Sequence, residues 1–309
     1  MRIASDNKWE IVKSSPVEET MKLSVIIPCF NAAETLANQL EALAQQQWSE
    51  PWEIIVADNG STDGSRETVK KYRQRLPNLR IVDASKKRGQ PYALNVGARA
   101  ASGDALLFCD ADDEVAPGWL TAMGEALLKY DFVACRVDPE KLNEPWLVAS
   151  RGYAQGDGLQ KLPYPPYLPH AGGGTLGIKR SLFEAVGGFD EELPAIHDTF
   201  FCVRVQLMGT PLRFVPEATV YTRYRDTFRG MYCQARSWGQ YSAFMYKKAR
   251  ALGTPKIPHP WREGAAVWKS LLKQMLEIRS RGDLAWCVFK FGYRVGRIRG
   301  SIKHRILAI

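Results

Sequence analysis

Three aspartates in four residues, Asp110, Asp112 and Asp113, follow the apolar run Ala105, Leu106, Leu107, Phe108, Cys109. Such a run, bounded by Gly103 and by turn-forming acids, reads as a buried strand that delivers carboxylates to the C-terminal edge of a sheet. Carboxylates crowded there repel one another, and a divalent cation is the simplest way to keep them ionised. The cluster is therefore a candidate metal site. The competing reading is that Asp112 and Asp113 cap a helix beginning near Pro117, because aspartate is common at turns and helix starts.

A second polar set is Asp58-Asn59-Gly60-Ser61-Thr62-Asp63-Gly64-Ser65. Asp58 is placed to accept a hydrogen from a nucleobase, with a turn residue as the alternative; Asp63 precedes a helix and is expected to cap it. Lys86-Lys87-Arg88-Gly89 comes just before a helix start, where a cation and free backbone N–H groups could meet a pyrophosphate; a solvated charge run is the alternative.

The elements that must position these groups alternate between short apolar runs and segments of helical period, the pattern of a mostly parallel sheet covered by helices. Strands are expected at Leu23 to Ile27, Glu53 to Ala57, Leu79 to Val82, Ala105 to Cys109 and Asp131 to Val137, with helices beginning near Ala33, Gly64 and Gln90. Ligands of such sheets bind at the carboxyl ends of the strands. Neither a Gly-x-Gly-x-x-Gly fingerprint nor a P-loop follows the first strand, which argues against hydride transfer and P-loop chemistry. The segment Pro139 to Pro169, rich in proline, glycine and aromatics, is expected to be a loop over the site. Gly172-Gly173-Gly174 implies close backbone approach.

The chain has 309 residues, 45% of them hydrophobic and 24% charged, which fits a soluble globular protein. A formal charge of +9 favours anionic partners. Charge alone is the case for nucleic acid, and none is expected as a partner. The six cysteines form no Cys-x-x-Cys pair and suit reduced, buried positions in a cytosolic protein. With neither a signal-type segment nor a membrane span, a cytoplasmic location is expected. Residues 1–20 are polar and aperiodic, and are expected to form a flexible extension.

Taken in order, Val25-Ile26-Ile27-Pro28-x-Phe30-Asn31, Val56-x-Asp58-Asn59-Gly60-Ser61-x-Asp63-x-Ser65, Arg88-Gly89 with Leu94-Asn95-x-Gly97, and Gly103-Asp104 through Asp110-x-Asp112 resemble glycosyltransferase family 2. The resemblance covers roughly residues 21–225 and implies a GT-A fold, a Rossmann-like α/β domain, followed by a helical C-terminal region over 226–309. It implies transfer of a sugar from a nucleotide-diphosphate donor, a UDP-sugar foremost, to a hydroxyl of a glycan or lipid-linked acceptor, with inversion, in cell-envelope or exopolysaccharide synthesis. A nucleotide-sugar-binding protein without turnover is the alternative. By the resemblance, Pro28, Phe30 and Asn31 line the nucleotide site, Asp58 contacts the base, Arg88 lies near the diphosphate, and Asp110 and Asp112 bracket ribose and metal, Mg²⁺ or Mn²⁺.

Gly187-Gly188-Phe189-Asp190-Glu191 and then His197-Asp198 resemble the family's acceptor motif, in which a Glu-Asp pair is usual. Asp198 matches the catalytic base, and His197 departs from the pattern, with a role in tuning Asp198 or touching the acceptor. A late histidine that some relatives supply to the metal is missing from Val220 to Arg225; either water completes the coordination, or Arg223 and Arg225 take over part of the diphosphate charge.

Beyond Thr227 only helices are expected. Leu284, Val288, Phe291, Val295, Ile298, Ile302, Ile306 and Ile309 make one apolar stripe flanked by Arg294, Arg297, Arg299, Lys303 and Arg305. Such a helix suits either an anionic membrane surface, as a peripheral attachment, or the side of the catalytic domain. Gly292, Gly296 and Gly300 share a face that permits close helix packing.

Overall fold

The computed structural model describes residues 20–258 and 260–307. The expected N-terminal extension, up to residue 19, and Ile309 of the apolar stripe lie outside the described residues.

The chain opens with β1 (Leu23–Cys29), α1 (Leu36–Ala44), β2 (Trp52–Asp58), α2 (Ser65–Tyr72), β3 (Leu79–Asp83), α3 (Gln90–Ala100) and β4 (Ala105–Phe108). Next come the two-residue β5 (Glu114–Val115), α4 (Trp119–Lys129), β6 (Phe132–Asp138) and α5 (Pro145–Arg151). A small hairpin of β7 (Gln160–Lys161) and β8 (Pro169–His170) precedes a 3₁₀ turn at Gly173–Thr175, β9 (Leu176–Lys179), α6 (Arg180–Val186), α7 (His197–Leu207) and β10 (Arg213–Tyr221). Three helices close the chain: α8 (Phe228–Ala251), α9 (Pro260–Leu276) and α10 (Arg281–His304).

Eight strands form one sheet in the order β3-β2-β1-β4-β9-β6-β10-β5. The pairs among β1 to β4 are parallel, whereas β9 runs antiparallel between β4 and β6. The sheet is thus parallel over its first half and mixed beyond it. Val25 and Ile27 of β1 face one apolar layer, with Leu36, Leu40 and Leu43 of α1 and Trp119 and Met123 of α4. Ile26 faces the other, with Leu94 of α3, Phe183 of α6 and Phe201 of α7. Burial on both faces explains the unbroken apolar run of β1.

The expected loop from Pro139 to Pro169 contains α5 and the hairpin, because Pro145 at a helix start and Leu147 and Val148 on its buried side support a short helix. Five of the cysteines are buried as expected; Cys233, on α8, is exposed. α10 begins with a capping box, Ser280 Oγ accepting from Asp283 N at 3.1 Å while Asp283 Oδ2 accepts from Ser280 N at 2.9 Å. Its glycines lie against α8: a Cβ on Gly292 would come within 2.8 Å of the Tyr232 carbonyl, and one on Gly296 or Gly300 would land on the carbonyl of Arg236 or Gln240. The apolar stripe is divided by this packing. Ile306 packs against the apolar cluster that contains Tyr164 and Tyr246, while Leu284, Phe291, Ile298 and Ile302 stay exposed.

Candidate active site

A cleft of about 1370 Å³ opens at the carboxyl ends of β1 and β4. Its first wall is Pro28 to Asn31. Asn31 adopts φ 50°, a left-handed conformation that asparagine tolerates, and its side chain accepts from Thr62 N at 2.8 Å. Asn59 clamps the neighbouring loop, donating to the carbonyls of Ala84 at 2.5 Å and Lys87 at 2.8 Å and accepting from Gly89 N at 2.9 Å. That clamp carries Arg88, whose guanidinium lies 4.2 Å over the Phe30 ring and donates to the Asn59 carbonyl at 2.8 Å. Phe30 is half exposed at the cleft.

Asp58 lies below this wall and is not among the residues that line the cleft. Its buried carboxylate accepts from Ser61 N at 3.1 Å and pairs with Arg66 at 2.5 Å. Asp63 bonds the first residue of α2, accepting from Ser65 N at 3.0 Å, and also takes Ala33 N at 2.9 Å, so it ties the α2 start to the β1 wall.

The acidic loop after β4 is held from α1 and the residues just beyond it. Buried Gln39 donates to the Asp110 carbonyl at 3.1 Å and accepts from Val115 N at 3.0 Å; Gln46 donates to the Ala116 carbonyl and accepts from Leu120 N, both at 3.0 Å. α4 is capped by Gly118 without a side-chain bond, so Asp112 and Asp113 are not its caps. Asp113 turns inward, accepting from Arg223 N at 2.9 Å and Thr222 Oγ1 at 3.1 Å; burial, with Asp110 and Asp112 nearby, pushes its carboxyl well up. Asp112 faces outward with Arg225 at 3.8 Å, and Arg223 Nε donates to the Asp112 carbonyl at 3.3 Å. Asp110 accepts from Gln90 at 2.8 Å. Burial, with like charge from Asp112 and Asp198, pushes its carboxyl up to about 7 against the pull of Gln90 and Arg225.

The opposite wall begins with Gly172 to Thr175. Buried Gln155 accepts from Gly172 N at 3.1 Å and donates to Thr175 Oγ1 at 2.9 Å, which fixes the turn. Gly174 presses against Asp110 so closely that a Cβ there would lie 2.8 Å from Oδ2. Gly173 N donates to Asp198 Oδ2 at 2.9 Å, and Thr199 N donates to Oδ1 at 2.7 Å. Asp198 sits in the first turn of α7, after Ile196 in a left-handed conformation with φ 54°. A β-branched residue is strained there, at a cost of about 1–3 kcal/mol.

His197 is buried edge-on to Phe189, and neither of its nitrogens has a hydrogen-bond partner among the described residues. Burial holds its pKa below the ordinary value, as it does for His170, against the opposing charge of Asp198 in both cases. Both rings are therefore neutral at pH 7.

One cleft thus gathers Pro28, Phe30, Asn31, Arg88, Asp110, Asp112, His197, Asp198, Arg223 and Arg225. It also takes Gln90, Tyr164, His170, Trp238 and Tyr293, which sequence reasoning did not single out as site residues. Trp238 reaches the cleft from α8. Tyr164 belongs to the Pro139 to Pro169 segment expected over the site, whereas no local signal marked the rest. Among the described residues no group of three or more His, Cys, Asp or Glu side chains is placed to hold a metal. Two under-neutralised carboxylates nevertheless suit an oxygen-preferring dication that keeps water and phosphate oxygens as its remaining ligands.

Sequence comparison decides the family. The model of Glycosyl transferase family 2 matches residues 24–187, and that of Glycosyl transferase family group 2 matches residues 106–304. The chain belongs to glycosyl transferase family 2. It is 35% identical over 136 residues to the uncharacterized glycosyltransferase YibD of Escherichia coli, covering 44% of this chain and 38% of that protein. It is 27% identical over 211 residues to the uncharacterized glycosyltransferase YwdF of Bacillus subtilis, covering 67% of this chain and 75% of that one. The chain spans well under half the length of some curated relatives it matches, 38% of YibD and 23% of YfnE of Bacillus subtilis.

Among solved structures, the mannosyltransferase PcManGT from Pyrobaculum calidifontis, in complex with GDP-Man and Mn²⁺, superposes with a TM-score of 0.66 at 20% identity, over 91% of this chain and 87% of that one. Staphylococcus aureus TarS 1-349 in complex with UDP-GlcNAc superposes with a TM-score of 0.50 at 18% identity, over 93% of each chain. At these identities the likeness carries the GT-A fold.

Proposed function

We propose that this glycosyltransferase moves a sugar from a nucleotide-diphosphate donor to an acceptor hydroxyl, with inversion, within the catalytic domain of residues 21–225. The observation that carries the reading is the convergence of Asp110 and Asp112, from the loop after β4, with Asp198, from the start of α7, on one cleft that also holds Phe30 and Arg88. Phe30 offers a ring face to the base, while Asn31 and Arg88 border the nucleotide. Asp198 takes the proton of the acceptor hydroxyl as that oxygen attacks the anomeric carbon, and the diphosphate leaves on the opposite side. The bonds from Gly173 N and Thr199 N fix the carboxylate and leave it lone pairs for that proton. Arg223 and Arg225 border the same cleft and offset negative charge on the departing diphosphate. Mg²⁺ or Mn²⁺ held by Asp110 and Asp112 would supply further charge neutralisation to that leaving group.

UDP-sugar is the favoured donor, and a cell-envelope glycan the favoured acceptor. The acceptor reading is supported by the likeness to the poly(ribitol-phosphate) beta-glucosyltransferase of Bacillus spizizenii, 31% identical over 112 residues that make up 36% of this chain and 17% of that protein. His197 faces the acceptor side, beside Asp198. The test is release of nucleoside diphosphate from a panel of donors, with and without Mn²⁺, for the native chain, Asp198→Asn and Asp112→Ala. Asp198→Asn is expected to lose at least 10³-fold in turnover while donor still raises its melting temperature, and Asp112→Ala to lose that donor protection as well. Normal turnover in Asp198→Asn would overturn the base assignment, and binding of a donor without any turnover in the native chain would favour the non-catalytic alternative.

A further inference from the structure

We propose that the face formed by α9 and α10 docks on the anionic surface of a lipid bilayer. The two helices run antiparallel, with Lys290 of α10 bonded to Gln274 of α9 at 2.9 Å and Trp268 edge-on to Phe291. The inner side of α10 is consumed by α8, against which its three glycines pack. Its outer side carries Leu284, Phe291, Ile298 and Ile302, at spacings of seven, seven and four, which one helical face requires. Leu276 is 89% exposed, Ile302 73% and Leu272 61%. Between the helices an apolar groove of about 630 Å³ runs past Ala265, Trp268, Ile298 and Ile302. Aliphatic side chains this open to water on adjacent helices mark an interaction surface.

Charge selects the occupant. Residues 226–309 hold 17 Lys or Arg against 4 Asp or Glu, whereas residues 1–225 hold 25 against 29. The whole positive excess of the chain therefore belongs to the helical region. Arg299 and Lys303 are exposed beside Ile298 and Ile302, and Arg305 borders the groove. A second copy seated on this face would bring two basic rims together, which like charge opposes. Nucleic acid would satisfy the charge but leave leucine and isoleucine in water, since single strands stack on aromatic rings. An anionic bilayer meets both demands, taking apolar side chains below its headgroups and basic ones among them.

The test uses the full chain, sedimented with vesicles of phosphatidylcholine alone or of equal parts phosphatidylcholine and phosphatidylglycerol. Binding to the anionic vesicles only is expected. Each basic group near such a surface contributes about a fivefold factor, so Arg299→Gln/Lys303→Gln/Arg305→Gln should bind about 100-fold more weakly. Leu276→Glu/Ile302→Glu should abolish binding even at low salt. These side chains lie on the surface and outside the active-site cleft, so melting temperature and nucleotide release in solution should stay unchanged, which separates failed docking from failed folding. Absence of binding to anionic vesicles would overturn the proposal. So would a dimer that Leu276→Glu/Ile302→Glu dissolves, or retention by duplex DNA without retention by vesicles.

Discussion

Gly174→Ala should damage the site while sparing the fold, and Gly173→Ala one position earlier should leave both intact. A Cβ on Gly174 would lie 2.8 Å from Asp110 Oδ2, 3.0 Å from its Cγ and 3.1 Å from its backbone nitrogen. Ordinary contact begins near 3.4 Å, so the Asp110 carboxylate must retreat by roughly half an ångström, because the glycine turn is pinned by Gln155. Gln90 donates to Asp110 at 2.8 Å, and a retreat of that size stretches this bond past about 3.2 Å, where it weakens. Misplacement on this scale in a catalytic cleft costs roughly 10- to 100-fold in kcat/KM. The stability cost is about 1 kcal/mol, at the lower end of overpacking, because the side chain that must move borders an open cleft. At Gly173 the added carbon would meet Asp198 Cβ at 3.4 Å, an ordinary contact. The assay is nucleotide release from the best donor, with thermal unfolding run in parallel. Equal activity in the two variants would refute the claim that the turn sets the position of Asp110.

Two further outcomes concern stability. Burial pushes the Glu53 carboxyl up, but bonds from Ser102, Ser24 and Arg80 outweigh it and bring it from 4.5 down to about 2. A lowered carboxyl contributes stability that is complete above pH 4.5 and disappears as pH falls toward 2, here about 3 kcal/mol at ~1.4 kcal/mol per pH unit. Urea midpoints of the native chain and Glu53→Gln should therefore differ at pH 7 and converge near pH 2; a difference independent of pH would count against it. In α10, Gly296→Ala gains about 1 kcal/mol of helix propensity. Its new carbon lands on the Arg236 carbonyl, where overpacking costs about 1–3 kcal/mol or more, so thermal unfolding should show a net loss.

The parts of the structure that follow from short-range pattern were legible in the sequence. The buried run of β1, the helix start at Gln90 and the acids after β4 fall where apolar periodicity and turn chemistry place them. The capping reading of Asp112 and Asp113 was undone by Gly118, whose left-handed φ of 79° starts α4 without help from a side chain. What stayed hidden depends on pairing across long separations. Arg66 reaches Asp58 and removes it from the cleft surface, and no rule of sequence spacing reports which acid a half-exposed arginine will choose. Tyr164 lies in the proline-rich segment expected over the site, but His170 and Trp238 join it only once α8 packs on the loop from β7 to β8, so their places had no local signature. The glycine spacing in α10 did announce a close helix contact; the partner, α8, came from the fold.

The loops that carry the chemistry share one device, which explains how a cleft lined by loops keeps a fixed shape. Beyond the ends of the strands, backbone N–H and C=O groups have no ladder partner, yet several are buried and must be paired. Gln39, Gln46, Asn59, Asn95 and Gln155, all buried, supply those partners, and each of these amides both donates and accepts. An amide suits this work because it offers both functions and carries no charge to desolvate, whereas a buried carboxylate or ammonium would bring a far larger cost. Charged groups are thereby left free to be placed by function. Asp112, Arg88 and Arg225 stand at the cleft surface while the neutral amides behind them bear the structural load. Positional precision at Asp110 and Arg88 is therefore set by Gln39 and Asn59, which bond the backbone of the loops that carry them.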